Sequence, residues 1–222
     1  MRAGIKTVVA GLYAITPQLE TEEMLKRTRL ALEGGARIVQ YRNKTAPVSM
    51  RHEQAGLLHR LCQEYEVPLI INDDVRVCQK IGVEGVHLGR EDISLEHARQ
   101  RLGEQAIIGM SCYNSLDRAL HAQASGADYV AFGCFFVSST KPDAVQAPVS
   151  LLHQARRKLA IPVIAIGGIT LQNGHALVTA GADGLAVIEG LYGAADIRST
   201  ATEFSQWFNQ EADHDNTFSS AI

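Results

Sequence analysis

The sequence lacks the features of membrane, disulfide-bonded and nucleic-acid-binding proteins. No apolar run approaches the ~20 residues that a membrane helix needs, and no basic block occurs in a chain of net charge −3. The four cysteines form no C-x-x-C pair, which indicates reduced thiols rather than a disulfide framework or a zinc site. The eight histidines include no H-E-x-x-H arrangement. These absences predict a globular protein whose partners are neither nucleic acid nor a membrane.

We do not expect the apolar residues near the start of the sequence to be a secretion signal. Residues 8–15 follow Arg2 and Lys6, but they run into Thr16 and Pro17 without a small-residue cleavage site. We therefore expect a cytoplasmic location, and a homo-oligomer is compatible with the sequence.

Eight short apolar runs recur along the chain, separated by segments with helical spacing. The runs cover residues 11–16, 38–42, 68–72, 85–88, 107–111, 129–133, 162–167 and 184–188. The helical segments cover 21–32, 50–65, 75–80, 95–102, 115–124, 151–159, 171–179 and 197–208. Continuous apolar runs are typical of parallel strands that are buried on both faces.

A glycine precedes every second strand, at Gly35, Gly82, Gly126 and Gly181. Each suits the left-handed turn that ends a helix, and a feature repeated in alternate units suits a barrel whose interior layers come from alternate strands. We predict an α/β fold, a single (β/α)8 TIM barrel over residues 1–209, with a disordered tail at 210–222. An open doubly wound sheet is the alternative, although no G-x-G-x-x-G follows the first strand.

Two acids stand at the ends of neighbouring predicted strands. Asp73 follows the third strand and Asp92 follows the fourth. Carboxylates ~5 Å apart repel by roughly 3 kcal/mol at an effective dielectric constant of 20. Mg²⁺ would remove this repulsion, and it is usually held by one or two carboxylates together with substrate phosphates. The other interpretation is that these acids cap helices or lie in solvated turns.

Cations and hydroxyls occupy other predicted strand ends. Alternation places Gln40, Arg42 and Lys44 on one side of the second strand end, and the fifth strand ends in Ser111. Residues 138–141 supply three hydroxyls and a lysine, which suit an anion-binding loop. A solvated strand edge and a serine-rich turn are the alternative interpretations.

A glycine pair predicts a second anion site. Gly167 and Gly168 follow the seventh strand, at the predicted start of a helix. Glycines let backbone N–H groups approach a ligand, and a helix N-terminus favours negative charge. A simple tight turn is the alternative. Two anion-binding clusters imply two phosphorylated substrates, and a metal-bound diphosphate on one of them favours group transfer with diphosphate as the leaving group.

Several motifs carry a resemblance to a known family. They are Gln40-Tyr-Arg-Asn-Lys44, Asn72-Asp73, His87-Leu-Gly-Arg-Glu-Asp92, Ser111, Ser138-Ser-Thr-Lys141, Gly167-Gly168-Ile169 and Val187-Ile188. In this order they resemble thiamine-phosphate synthase, and the likeness extends over residues 11–208. The resemblance implies a transferase that joins 4-amino-2-methyl-5-(diphosphooxymethyl)pyrimidine to 4-methyl-5-(2-phosphooxyethyl)thiazole, giving thiamine phosphate and diphosphate by a dissociative, Mg²⁺-assisted reaction.

The resemblance also implies a role for each matching residue. Pyrimidine diphosphate would be held by Gln40, Tyr41, Arg42, Asn43, Lys44 and Asn72, and Mg²⁺ by Asp73 and Asp92. The diphosphate would contact Ser111 and Lys141, which with Arg42 and Lys44 are the expected catalytic residues. Thiazole phosphate would be held by Ser138, Ser139, Thr140, Gly168 and the backbone of Ile188 and Glu189.

Three positions depart from the pattern of the family. Ser138 replaces a threonine, Tyr113 replaces a histidine after the fifth strand, and Glu189 stands where a serine usually binds the thiazole phosphate. A carboxylate near a phosphate is unfavourable unless the Glu189 side chain turns outward. Two other functions compete with the synthase: a thiazole tautomerase on the same barrel, and a non-catalytic barrel that binds thiazole phosphate.

Overall fold

Eight parallel strands close into a barrel in the order of the chain. The structure, a computed structural model, describes residues 8–137 and 145–219, with side chains up to Asn209. The strands are β1 (Gly11–Ile15), β2 (Ile38–Tyr41), β3 (Leu69–Asn72), β4 (Gly85–Leu88), β5 (Ile107–Tyr113), β6 (Tyr129–Phe132), β7 (Val163–Ile166) and β8 (Gly184–Val187). Because β1 pairs with both β2 and β8, the sheet has no open edge. The predicted (β/α)8 barrel is confirmed, and the doubly wound alternative is excluded.

Helices follow the strands and cover the outside of the barrel. They are α1 (Thr21–Glu33), α2 (Val48–Glu64), α3 (Val75–Ile81), α4 (Leu95–Leu102), α5 (Leu116–Ala124), α6 (Ser150–Lys158), α7 (His175–Thr179), α8 (Glu189–Tyr192) and α9 (Ile197–Ser219). The glycines Gly35, Gly82, Gly126 and Gly181 all have positive φ, between 77° and 102°, as their predicted left-handed turns require. Within the described residues, no helix is long and apolar enough to cross a membrane.

The apolar side chains form two layers, one on each face of the sheet. The inner layer fills the barrel and includes Tyr13, Ile38, Ile70 and Tyr129. The outer layer lies between strands and helices, and it contains the intervening strand residues, such as Leu12. Since every strand is covered on both faces, an almost continuous apolar sequence is what burial requires.

The predictions for two helices differ from the structure. The predicted helix 171–179 begins only at His175, because Asn173 accepts a hydrogen bond from the Thr170 N–H (2.8 Å) and donates one to the Gly168 carbonyl (3.0 Å). Such bonds from a side chain compete with helix formation. At the other end, α9 continues past residue 208 to Ser219, since extending a helix costs much less than starting one. The tail was predicted to be disordered from residue 210. The division of the chain at that residue stays a prediction.

Candidate active site

The predicted site residues that the structure describes lie at one end of the barrel. Parallel strands in a closed barrel bring all their carboxyl ends to the same rim. Gln40 and Arg42 lie at the end of β2, Asn72 and Asp73 at the end of β3, and Ser111 near the end of β5. The backbone N–H of Arg42 donates to the hydroxyl of Thr16, which follows the neighbouring strand β1, at 3.0 Å. Ser138, Ser139, Thr140 and Lys141 lie outside the described residues.

Lys44 and the two acids form a charged group on this rim. The Lys44 ammonium lies 2.9 Å from Asp73 Oδ2, and the Asp92 carboxylate accepts the Gly89 N–H at 2.6 Å. Burial raises the pKa of the Asp92 carboxyl, and the nearby Asp73 carboxyl raises it further. The Asp73 carboxyl is therefore close enough to Asp92 to disfavour the ionised form of Asp92, and the two acids lie near each other, as the sequence predicted.

A different acid caps the helix after β3. Asp74 Oδ1 accepts the N–H groups of Arg76 and Val77, both at 3.1 Å, and its other oxygen binds Arg51 at 3.0 Å. Helix α4 is capped by Ser94. Because these residues serve as caps, the capping interpretation does not account for Asp73 or Asp92.

Two carboxylates fit a hard divalent cation whose remaining ligands come from elsewhere. Oxygen donors are the ligands that Mg²⁺ prefers, and it commonly completes its shell with water and substrate phosphate. Among the described residues no group of three or more His, Cys, Asp or Glu side chains could hold a metal ion. A metal at this rim would consequently depend on Asp73, Asp92 and oxygens of a phosphorylated ligand.

Tyr41 and Asn43 do not join the charged group. The buried Tyr41 donates its hydroxyl hydrogen bond to Gln54 Oε1 at 2.8 Å, and the Asn43 amide donates to the same oxygen at 3.1 Å. Asn43 Oδ1 also accepts the Ala46 N–H at 3.1 Å. These bonds link the loop after β2 to α2. The two side chains therefore hold the loop in position and do not face the charged group.

A cavity of about 690 Å³ opens beside Lys44 and Asp73. Three arginines, Arg51, Arg76 and Arg101, also line it. Positive charge around a cleft raises the local concentration of anionic ligands. Asp73 and Asp74 also line the cavity and pair with Lys44 and Arg51. The net positive charge of the lining therefore comes from Arg76 and Arg101, and it favours a phosphorylated ligand on this side of the rim.

A hydrogen-bonded row of buried polar side chains lies below the rim, inside the barrel. Gln40 is 3% exposed and His87 is 8% exposed, and the phenols Tyr13 and Tyr129 are fully covered. Burial lowers the pKa of His87 to about 4, against a smaller opposite effect of the Asp73 charge. Burial also raises the pKa values of both phenols. The imidazole and the phenols are therefore uncharged near neutral pH.

Sequence reasoning missed the two tyrosines of this row. Both occupy inward-facing positions of strands whose other inward residues are apolar. A buried phenol normally needs a hydrogen-bond partner. A tyrosine at a buried strand position therefore indicates a hydrogen bond inside the barrel, but the sequence does not identify the partner of each phenol.

The glycine pair after β7 lies against the chain that follows β6. The Phe136 N–H donates to the Gly167 carbonyl at 3.0 Å, and a Cβ added at Gly168 would overlap the carbonyl groups of Phe136 and Val137. Gly168 has φ of 64°, so a side chain there would be strained as well as crowded. The predicted helix N-terminus at this glycine is wrong, because α7 begins seven residues later, at His175.

The start of α8 lies next to the turn that follows this pair. A Cβ at Gly190 would overlap the Ile169 carbonyl, so the backbones of the two segments are in close contact. Glu189 is exposed, and a Cβ at Gly193 would overlap its carboxylate. The Glu189 side chain therefore lies along α8, and its backbone, rather than its carboxylate, adjoins the glycine turn.

A closed barrel of eight parallel strands, with the predicted site residues at its carboxyl end, defines a protein of the (β/α)8 class. The family model described as "Thiamine monophosphate synthase" matches residues 12–191. The chain is 49% identical to the thiamine-phosphate synthase of Nitrosospira multiformis over 207 residues, covering 93% of this chain and 88% of that protein. It is also 49% identical to that of Thiobacillus denitrificans over 208 residues, covering 93% and 99%.

A solved structure agrees with these relatives. The thiamine phosphate pyrophosphorylase of Pyrococcus furiosus superposes with a TM-score of 0.82 at 35% identity, covering 93% of this chain and 98% of that one. The chain belongs to the thiamine monophosphate synthase family.

Proposed function

We propose that this protein condenses 4-amino-2-methyl-5-(diphosphooxymethyl)pyrimidine with 4-methyl-5-(2-phosphooxyethyl)thiazole, giving thiamine phosphate and diphosphate. The observation that carries the proposal is the shared rim. Lys44, Asp73 and Asp92 meet on one part of it, and the glycine turn and the start of α8 meet on another. Family membership supplies the identity of the two substrates.

The charged group and its neighbours on the rim would bind the diphosphate of the pyrimidine substrate. Arg42 and Lys44 supply positive charge, Gln40 and Asn72 supply amide groups, and Ser111 supplies a hydroxyl. Lys141 is proposed to join them. Asp73 and Asp92 would hold Mg²⁺, which when bound would neutralise part of the diphosphate charge.

The glycine turn would hold the thiazole phosphate. Gly168 permits the close packing of this turn against the Phe136 and Val137 carbonyls, and Gly190, which directly follows Ile188 and Glu189, lies against Ile169 of the same turn. The hydroxyls of residues 138–140 are proposed to complete this site. An exposed Glu189 carboxylate leaves the backbone N–H groups as the donors to the phosphate.

The reaction needs charge stabilisation and positioning, and no protein nucleophile. The bond between the methylene carbon and the diphosphate oxygen breaks, and its electron pair leaves with diphosphate. The aminopyrimidine ring delocalises the resulting methylene cation, and the thiazole nitrogen then supplies the pair for the new C–N bond. The protein stabilises the departing charge and holds the two rings in contact, both of which are established sources of rate enhancement. We expect the reaction to take place in the cytoplasm, where the four buried cysteine thiols would remain reduced.

One assay separates this function from its two competitors. Metal-free protein is incubated with both substrates, with Mg²⁺ or with a chelator, and thiamine phosphate is quantified. We expect product that depends on both substrates and on Mg²⁺. Isomerisation of a thiazole carboxylate phosphate without condensation would indicate a tautomerase. Saturable binding of thiazole phosphate without any product would indicate a non-catalytic barrel.

A further inference from the structure

Five buried or half-buried side chains from five strands form one continuous hydrogen-bonded row, which we call the interior row. Gln40 Nε2 lies 2.8 Å from the Tyr13 hydroxyl, which lies 2.8 Å from the Tyr129 hydroxyl. The Tyr129 hydroxyl lies 3.0 Å from His87 Nδ1, and His87 Nε2 lies 2.9 Å from Ser111 Oγ. The interior row therefore connects two residues of the proposed substrate site, Gln40 and Ser111, through three side chains that are buried inside the barrel.

The donors and acceptors of the interior row determine its direction. The Gln40 amide nitrogen can only donate, so the Tyr13 oxygen accepts from it. The acceptor that the interior row offers to the Tyr13 proton is then the Tyr129 oxygen, and a bond in the other direction would leave that buried proton without an acceptor in the row. Tyr129 then donates its single proton to His87 Nδ1. A neutral imidazole with Nδ1 as acceptor carries its proton on Nε2, and this N–H faces Ser111 Oγ. A charged imidazole would donate from both nitrogens and leave the Tyr129 proton without an acceptor.

We infer that the interior row holds His87 in its Nε2–H form, so that Ser111 accepts from the imidazole and keeps its own proton for an anionic oxygen of the ligand. This inference rests on the proposed function where it concerns diphosphate, and it makes His87 and Tyr129 positioning residues. In the opposite direction, Ser111 would donate its proton to Nε2 and turn only lone pairs towards the diphosphate. A donor that already points at the place where charge develops needs no reorganisation during the reaction.

The packing holds the interior row in place. The rings of His87 and Tyr129 stack at 5.5 Å, and the rings of Tyr13 and Tyr129 meet edge to face at 6.0 Å. Gly109 is the strand partner of both His87 and Tyr129. A Cβ there would overlap the Tyr129 ring, so this glycine provides the space in which the phenol reaches across the barrel.

The tautomer can be measured without substrate. The full chain is labelled with ¹⁵N-histidine, and two-bond ¹H–¹⁵N spectra at pH 7 distinguish protonated from bare ring nitrogens. His87→Gln identifies the His87 signals among those of the eight histidines. We expect Nε2–H in the wild type, and a mixture or the Nδ1–H form in Tyr129→Phe, where the imidazole has lost its donor. Nδ1–H in the wild type, or an unchanged tautomer in Tyr129→Phe, would overturn the inference.

The chain offers a matched control for the loss of a buried phenol. Tyr192 is 1% exposed, and its hydroxyl lies 3.1 Å from Thr28 Oγ1, outside the barrel interior. Tyr192→Phe removes a buried hydroxyl of the same kind and should leave the His87 tautomer unchanged. If Tyr129→Phe does not fold, Tyr13→Phe interrupts the interior row one step earlier and is examined in the same way.

Kinetics test whether the interior row acts through Ser111. Hydrogen bonds to charged groups are worth enough to change a rate roughly ten- to a hundredfold. We expect Tyr129→Phe to lower kcat by such a factor with little change in the KM for thiazole phosphate, while Tyr192→Phe leaves both constants unchanged. In a Ser111→Ala background, Tyr129→Phe should have almost no further effect.

Fully additive losses would show that Tyr129 does not act through Ser111, and they would overturn the inference. If the wild type forms no thiamine phosphate at all, the proposed function fails. The tautomer measurement still decides the direction of the interior row in that case, so the two failures are distinguishable.

Discussion

His87→Gln should weaken the dependence of stability on pH. The imidazole titrates near pH 6.5 in the unfolded chain, and burial lowers its pKa to about 4 in the folded protein. Between these values the unfolded state binds more protons, so the free energy of unfolding falls as the pH falls. The His87 contribution lost between pH 7 and pH 5 is about 2 kcal/mol, and it approaches about 3 kcal/mol below pH 4. Glutamine does not titrate, so this loss should be absent from the variant.

The measurement is urea unfolding of both proteins at pH 7, 6 and 5, at one protein concentration and in a chelator. Far-UV circular dichroism is preferable to fluorescence, because it follows the helices around the whole barrel, whereas fluorescence reports on the surroundings of Trp207, the one tryptophan of the sequence. The groups that face His87 are the hydroxyls of Tyr129 and Ser111 and the charge of Asp73. The chelator keeps that charge free of metal.

The variant isolates the His87 contribution from the other titrations. The raised pKa of Asp92 acts in the opposite sense, stabilising the fold as the pH falls, but it is common to both proteins and cancels in their difference. His153→Gln is the control, since His153 is exposed on α6 and its replacement should leave the pH dependence as in the wild type. Equal losses of stability in His87→Gln and the wild type between pH 7 and pH 5 would refute the reasoning.

Four further substitutions test the site and its support, and a fifth, Asp74→Asn, is a control. Asp73→Ala and Asp92→Ala should each lower turnover roughly tenfold or more and leave the circular dichroism spectrum unchanged. The control Asp74→Asn keeps a helix-capping side chain and should retain activity. Unchanged rates in both alanine variants would refute the proposed metal site. Glu189→Ser should leave the KM for thiazole phosphate unchanged or lower it, because the carboxylate lies along α8, and a clear rise in that constant would show that Glu189 helps to bind. Gly109→Ala should reduce the free energy of unfolding by about 1–3 kcal/mol, because the new methyl group overlaps a buried phenol ring; an unchanged urea midpoint would show that the ring can move aside.

Local sequence patterns determined the secondary structure and hence the barrel. Eight apolar runs became eight strands, because a strand covered on both faces must be apolar along its length. The alternate glycines took the left-handed turns that they were assigned. The acid pair also followed from position alone, since the ends of adjacent parallel strands must meet. Where local side-chain bonds mattered, as at Asn173, the pattern predicted a helix that begins too early.

Only the tertiary structure decided which polar groups meet across the barrel. Tyr13 and Tyr129 are 116 residues apart and share a hydrogen bond, and Tyr41 and Asn43 turn to Gln54 although their neighbours face the rim. Periodicity assigns a side chain to a face of its strand, because that depends on the alternation of the backbone. It does not assign a partner, because the partner depends on how far each ring reaches and on the space that a residue such as Gly109 leaves for it. The direction of each proton in the interior row is likewise a property of the assembled set, since no single strand contains both a donor and its acceptor.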